Sequence, residues 1–203
     1  IILGIIIGGR LGYVIFYNAS YFIEYPVEIL KLWEGGMSFH GGLIGVILSS
    51  YIFSKIKKLN YKIYFDIICC VSPIGIFFGR IANFINSELY GIPTNKPWGI
   101  VFPKIDNLTR HPSQIYEAFL EGVVLFILVN TIFLKKKYNY GLVSFIFLIF
   151  YSIFRIIAEQ FREPDEHIGY VFYTMSLGSL LSVFMILFGI VFLLKINSNE
   201  KAK

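Results

Sequence analysis

The chain has 203 residues, 56% of them hydrophobic and 15% charged, with a formal net charge of +5 and a mean hydropathy of +0.68. A soluble domain of this length cannot cover so much apolar surface with so few charges, so the composition excludes that class and points to an integral membrane protein. The positive charge does not point to nucleic acid, because the lysines cluster between apolar runs, as cytoplasmic membrane anchors do.

Six apolar segments follow in chain order, at about 1–17, 38–54, 63–85, 115–134, 141–158 and 170–194. A span needs roughly 17–25 residues; most segments qualify, and the first looks cut short. The chain starts at Ile1 inside an apolar run, with no charged stretch or cleavage site before it. It therefore reads as a fragment lacking upstream sequence, not as a chain with a signal peptide. Alternation at period two is absent, which argues against a barrel. The expected fold is an all-α polytopic transmembrane helix bundle forming one domain over 1–203, with a small extracytoplasmic region at about 86–114. Cys69 and Cys70 are adjacent inside an apolar run, where helical neighbours cannot easily pair, so they read as packing residues without a disulfide.

The loops set the orientation. Lys55, Lys57, Lys58 and Lys62 follow the second segment, Lys135, Lys136 and Lys137 the fourth, and Lys195, Lys201 and Lys203 the sixth. Six crossings place these three regions on one side, and that side is cytoplasmic by the positive-inside rule. The five arginines, Arg10, Arg80, Arg110, Arg155 and Arg162, fall instead in or near the outer part. Arg155 stands 14 residues from the inner start of its segment, which is roughly 21 Å into a ~30 Å core. A charge at that depth is costly unless it is paired or lines a wet cavity.

Polar stripes run along two of the segments. Arg80, Asn83 and Ser87 share one helical face at i, i+3 and i+7, within Gly79-Arg-Ile-Ala-Asn-Phe-Ile-Asn-Ser-Glu88. Tyr151, Arg155, Glu159 and Arg162 form a second stripe at i, i+4, i+8 and i+11. Guanidinium reads phosphate with two parallel N–H donors, so Arg80 and Arg155 at matching height suggest a phospholipid headgroup site. The structural alternative is an Arg155–Glu159 ion pair with Arg162 snorkelling at the interface. His40-Gly-Gly-Leu-Ile-Gly45 opens the second segment. Its imidazole suits proton transfer near neutral pH, and its glycines allow close approach of a helix or a lipid. Gly4, Gly8 and Gly12 have helix-packing spacing. The outer region carries Trp98 and Arg110-His-Pro-Ser-Gln-Ile-Tyr-Glu117, with Pro112 placed to start a helix. His40, His111 and His167 all fall outside, yet no ligand spacing supports a metal site.

Taken in order, His40–Gly45, Gly79–Glu88, Arg110–Glu117 and Tyr151–Asp165 resemble the motifs of the bacterial prolipoprotein diacylglyceryl transferases, and the resemblance covers nearly the whole chain. It implies seven spans in the family against six here. It also implies a reaction: transfer of the diacylglyceryl group of phosphatidylglycerol to the thiol of a lipobox cysteine in a prolipoprotein, releasing glycerol 1-phosphate. The implied partners are phosphatidylglycerol, the prolipoprotein signal peptide and membrane lipids. No metal or cofactor is implied. The implied location is the bacterial cytoplasmic membrane, with the site on the extracytoplasmic side and the C-terminus inside. By position in the motifs, Arg80 and Arg155 match the essential arginines. His40, Asn83, Glu88, Tyr151, Glu159 and Arg162 match further site residues. His40 is the candidate base for the thiol, with Glu159 or a water as alternatives, and Arg80 and Arg155 are the phosphate readers. A lateral opening between helices is expected for the signal peptide. The competing class is a small anion or lipid transporter with intramembrane arginines, but the internal repeats typical of carriers are not found.

Overall fold

The computed structural model describes residues 1–135, 139–164, 170–172 and 175–201. They form two compact units, Ile1–Tyr64 and Phe65–Lys203. Four helical rods are long and apolar enough to cross a membrane, Tyr61–Asn86, Ser113–Phe133, Leu142–Glu159 and Gly178–Lys195, and Ile2–Tyr17 and Gly41–Ile56 are shorter apolar helices. The protein is a polytopic helix bundle of about six spans, as its hydropathy pattern implies.

The first unit is built on α1 (Ile2–Tyr17) and α3 (Phe39–Ile56), with the short α2 (Ala19–Glu24) between them. In lipid no hydrophobic gain draws helices together, so they associate by close packing of small residues. Gly8 and Gly12 of α1 lie directly on the backbone of Gly41, and Gly4 lies on the carbonyl of Gly45. The glycines of the His-Gly-Gly motif therefore receive a helix. Ser38 caps α3 by accepting a hydrogen bond from Gly41 N at 3.2 Å. Arg10 is buried and donates to five backbone carbonyls, those of Glu28, Ile29, Lys31, Gly35 and Gly36. It secures the turns at Pro26–Leu30 and Leu32–Glu34, so its guanidinium is committed to the backbone.

The second unit holds most of α4 (Tyr61–Asn86), then α5 (Ser113–Glu117), a π-helical stretch Ala118–Val124, and α6 (Leu125–Phe133). It ends with α7 (Leu142–Glu159) and α8 (Leu177–Lys201). Its apolar centre is Cys70 of α4, Leu125 and Val129 of α6 and Val143 of α7. Both cysteines are free. Asn130 of α6 donates to the carbonyl of Cys70 at 3.0 Å, a polar tie between two spans. The last apolar segment is helical only from Leu177: Tyr170–Phe172 (β3) pairs antiparallel with Met175–Ser176 (β4) ahead of α8. Ser176 Oγ then accepts from Ser179 N at the start of α8, so capping chemistry, not hydropathy, sets where that helix begins.

The region between α4 and α5 is a small backbone lattice. Ile100–Val101 (β1) pairs with Thr109–Arg110 (β2), and residues 90–94 run between two neighbours. On one side Gly91 N and Thr94 N donate to the carbonyls of His111 and Thr109; on the other Ile92 N donates to Phe161 O, and Tyr90 O accepts from Glu163 N. A Cβ on Gly91 would collide with the carbonyl oxygens of His111 and Phe161, which is why glycine stands there. The lattice ties the loop to the end of α7.

Candidate active site

Three rods of the second unit converge on one carboxylate. Phe77 of α4 packs against Gly122 of the π stretch, where a Cβ would come within 2.8 Å of the Phe77 Cβ. That contact brings Arg80, one turn further along α4, against Glu117 and Glu121. Arg80 Nε lies 2.8 Å from Glu117 Oε2, and its Nη2 lies 3.4 Å from Glu121 Oε2. From α7, Arg155 Nη1 donates to Glu117 Oε1 at 3.0 Å and sits 3.7 Å from Glu121 Oε1, while its Nη2 is 2.7 Å from Glu159 Oε2. Arg162 Nη1 completes the ring at 3.9 Å from Glu117 Oε1. Glu117 and Glu121 have no exposed surface at all.

The arrangement follows from the cost of charge in lipid. Three guanidiniums and three carboxylates gather so that each is compensated, which is the condition for burying ions at this depth. The cluster is neutral overall but keeps directed donors. Among the described residues, Arg80 donates a hydrogen bond from Nη2 and Arg155 from Nη1, and Arg80 Nη1 and Arg155 Nε donate none, so N–H groups are left for an anion. Of the residues singled out from sequence, Arg80, Arg155, Glu159 and Arg162 are brought together here. The Arg155–Glu159 ion pair is present, within a larger cluster. Glu117 and Glu121 were not singled out as site residues. Two carboxylates at i and i+4 in an apolar run, with unpartnered arginines elsewhere, were the available signal.

Asn83 and Glu88 make a separate pair: Asn83 Nδ2 donates to Glu88 Oε2 at 2.8 Å. Ser87 does not extend the α4 stripe. It leaves the helix with φ 63°, and Leu89 follows with φ 54°, a left-handed backbone uncommon for residues with side chains. This turn lets Glu88 N reach back to Asn83 O at 2.8 Å. Ser113 Oγ and Gln114 Nε2 of α5 donate to the carbonyls of Leu89 and Glu88 at 3.0 and 2.6 Å. The Arg110–Glu117 motif thus supports the Gly79–Glu88 motif. Tyr151 stacks on Phe147 with ring centroids 5.9 Å apart. The His40 side chain, Asp165 and His167 lie outside the described residues.

Beside the cluster, an apolar groove of about 540 Å³ opens between the α5–π rod and α7. Ile115, Phe119 and Leu120 line one wall, and Ile157, Ala158 and Phe161 the other. Its polar rim is a short chain: Trp98 Nε1 donates to Tyr116 Oη at 2.8 Å, and Tyr116 Oη is 3.0 Å from His111 Nδ1. Next to His111, Arg110 clamps the loop between α4 and α5. It donates to Asp106 at 2.6 Å, to Gly91 O at 2.9 Å and to Glu163 at 3.0 Å, and lies over the Tyr90 ring. The hydrogen bond from Arg110 holds the Asp106 carboxyl below its usual range, and Asp106 in turn raises Arg110.

Residues 1–195 match the family described as prolipoprotein diacylglyceryl transferase. The chain is 56% identical over 207 residues to the phosphatidylglycerol–prolipoprotein diacylglyceryl transferase of Rickettsia bellii, covering 100% of this chain and 78% of that protein. It is 54% identical over 190 residues to the one of Rickettsia felis, covering 93% and 73%. With the one of Ehrlichia canis it shares 50% over 196 residues, covering 95% and 75%. A match over this much of the chain, at this identity, makes it a member of the prolipoprotein diacylglyceryl transferase family.

Proposed function

We propose that Arg80 and Arg155 bind the phosphate of phosphatidylglycerol while a cysteine thiolate displaces it. The reaction is transfer of the diacylglyceryl group from phosphatidylglycerol to the lipobox cysteine of a prolipoprotein. The sulfur attacks the glycerol carbon that carries the phosphate. An S–C bond forms, the C–O bond breaks, and the phosphate oxygen keeps the electron pair as glycerol 1-phosphate departs. The phosphate passes from a monoanionic diester toward a dianionic monoester. Donors already aimed at it therefore stabilise the transition state more than the bound lipid.

One observation carries this reading: two guanidiniums are fixed on opposite oxygens of Glu117, with N–H donors to spare. In the same reading Tyr151, Glu159 and Arg162 complete the headgroup site, Asn83 and Glu88 form its edge, and His40 takes the thiol proton. The apolar groove between the α5–π rod and α7 receives an acyl chain. The whole chain, 1–203, acts as one transmembrane domain with its site on the extracytoplasmic side and its C-terminus in the cytoplasm.

The test is incubation of the purified protein with labelled phosphatidylglycerol and a lipobox peptide. A peptide heavier by one diacylglyceryl group, joined as a thioether, is expected; no such product refutes the reading. Orientation has its own check. An impermeant thiol reagent should label a cysteine placed at Asn95 in intact cells and spare one placed in the loop at 55–62. The reverse labelling sinks the orientation.

A further inference from the structure

We infer that Glu117 is a positioning residue for this reaction: its single carboxylate sets Arg80 and Arg155 at the separation and angle at which they receive one phosphate. The role rests on the proposed reading of phosphate by these two arginines. Arg80 Nε lies 2.8 Å from one oxygen of Glu117, and Arg155 Nη1 donates to the other at 3.0 Å. Arg155 hydrogen-bonds one oxygen and Arg80 forms an ion pair with the other, so the carboxylate works as a spacer between the two guanidiniums. Glu117 Oε1 also lies 3.9 Å from Arg162 Nη1. Glu121 is as deeply buried but stands further off, at 3.4 and 3.7 Å, and Glu159 forms its ion pair with Arg155, on its own helix. Position in the fold supports the distinction. Glu117 is the last residue of α5, at its junction with the π stretch, and the same rod abuts Phe77, one turn before Arg80. The backbone that carries the spacer is thus packed against the helix that carries one of its arginines. Preorganisation of this kind acts on the chemical step, because misplaced donors lose the charge that develops late in C–O cleavage.

The variants follow from the geometry. Glu117→Gln keeps the size but turns one oxygen into an N–H donor, so only one arginine can be held. Glu117→Asp keeps both oxygens on a shorter arm. Glu121→Gln removes a more distant carboxylate. Each is assayed for transfer from labelled phosphatidylglycerol to a lipobox peptide, with thermal unfolding in parallel and rates expressed per folded protein. Glu117→Gln should lower kcat on the order of a hundredfold, with KM for phosphatidylglycerol within about threefold of wild type. Glu117→Asp should recover part of that loss, and Glu121→Gln should fall less than about tenfold. Adding Glu117→Gln to Arg155→Lys should slow the enzyme little further, because both act on one arrangement. If Glu117→Gln fails to fold, the same question is put to Glu117→Asp, which should turn over roughly tenfold below wild type at unchanged KM.

Several results would overturn the role. One is near wild-type kcat in a folded Glu117→Gln, or, if that variant does not fold, in Glu117→Asp. Another is a fall in Glu121→Gln equal to that in Glu117→Gln, which would reduce both carboxylates to charge neutralisation. A third is a rise in KM at unchanged kcat. A wild-type protein that transfers nothing would overturn the proposed function, and this role with it; an active wild type beside an equally active Glu117→Gln overturns the role alone.

Discussion

Asp66 of α4 caps the helix that carries Arg155: its Oδ1 accepts from both Ser144 N, at 2.8 Å, and Ser144 Oγ, at 2.6 Å. Its Oδ2 accepts from Gly141 N at 2.6 Å, and Gly141 turns into the helix with φ 95°. Asp66 is fully buried, so its charge is compensated by the otherwise unpartnered N–H groups at the start of α7. The pairing fixes the register of α7 from the end opposite its arginine. We predict that Asp66→Ala costs about 2 kcal/mol of stability, seen as a lower unfolding temperature in detergent. The transfer rate per folded molecule should be unchanged well below that temperature. Unaltered stability would mean that the cap contributes nothing.

Arg80→Lys and Arg155→Lys should each be far from conservative. Lysine keeps the charge but cannot hold Glu117 and a phosphate at once, because it lacks the planar fork. The loss is on the order of 3 kcal/mol at the transition state, or about a hundredfold in kcat/KM. Transfer kinetics at matched amounts of folded protein measure it, and near-normal turnover by both variants would remove the phosphate-reading role.

His40→Gln separates a base from a hydrogen-bond donor. If imidazole takes the thiol proton, the wild-type rate falls as pH drops below the histidine pKa. In the variant the residual rate should lack that limb. A His40→Gln enzyme with wild-type turnover and the same acid limb would exclude His40 from the chemistry and leave the arginine cluster as it stands.

The Arg110 clamp has its own pH dependence. Hydrogen bonding to Arg110 lowers the Asp106 carboxyl from its ordinary 3.8. A folded-state pKa below the unfolded one means that Asp106 stabilises the clamp above about pH 3.8 and stops doing so as pH falls through the lowered value. Hydrogen exchange at Gly91 and Ile92 should be insensitive to Asp106→Asn in its acid onset only if this pair is irrelevant. The expected result is that the wild type loosens below the carboxylate range, whereas the variant is already loose at neutral pH.

The spans were legible because each is a long apolar run, and Arg155 and Glu159 were legible because they repeat at helical spacing. Arg162 does not continue that stripe: α7 ends at Glu159, and Arg162 reaches Glu117 from a bridge with Gly91. Spacing within one helix does not reveal partners on another. Glu117 and Glu121 enter the site only through the packing of Gly122 on Phe77, a contact between residues 45 positions apart in the sequence. The departure of Ser87 from the helix is likewise nonlocal, since the carbonyls of the turn are held by Ser113 and Gln114. Arg10 looked like its fellow arginines by type and height. Its capture by backbone carbonyls depends on a fold of residues 28–36 that composition does not encode.

The π-helical stretch Ala118–Val124 carries a consequence for how this sequence can change by insertion and deletion. Such a wide turn amounts to one residue more than an α-helix would use. Removing a single residue there would let the rod close into a regular α-helix, without breaking a span or exposing a polar group. Because the wide turn already absorbs the extra residue, the deletion would leave the two ends of the rod facing nearly the same way. Asn130 could then keep its bond to the Cys70 carbonyl while Glu117 keeps its place between the arginines. The slack in this rod therefore sits in one stretch, and its regular turns have none. Deletion of Val123 should retain transfer, whereas deletion of one residue from α6, Leu125–Phe133, should turn its two ends against each other by about 100° and abolish it.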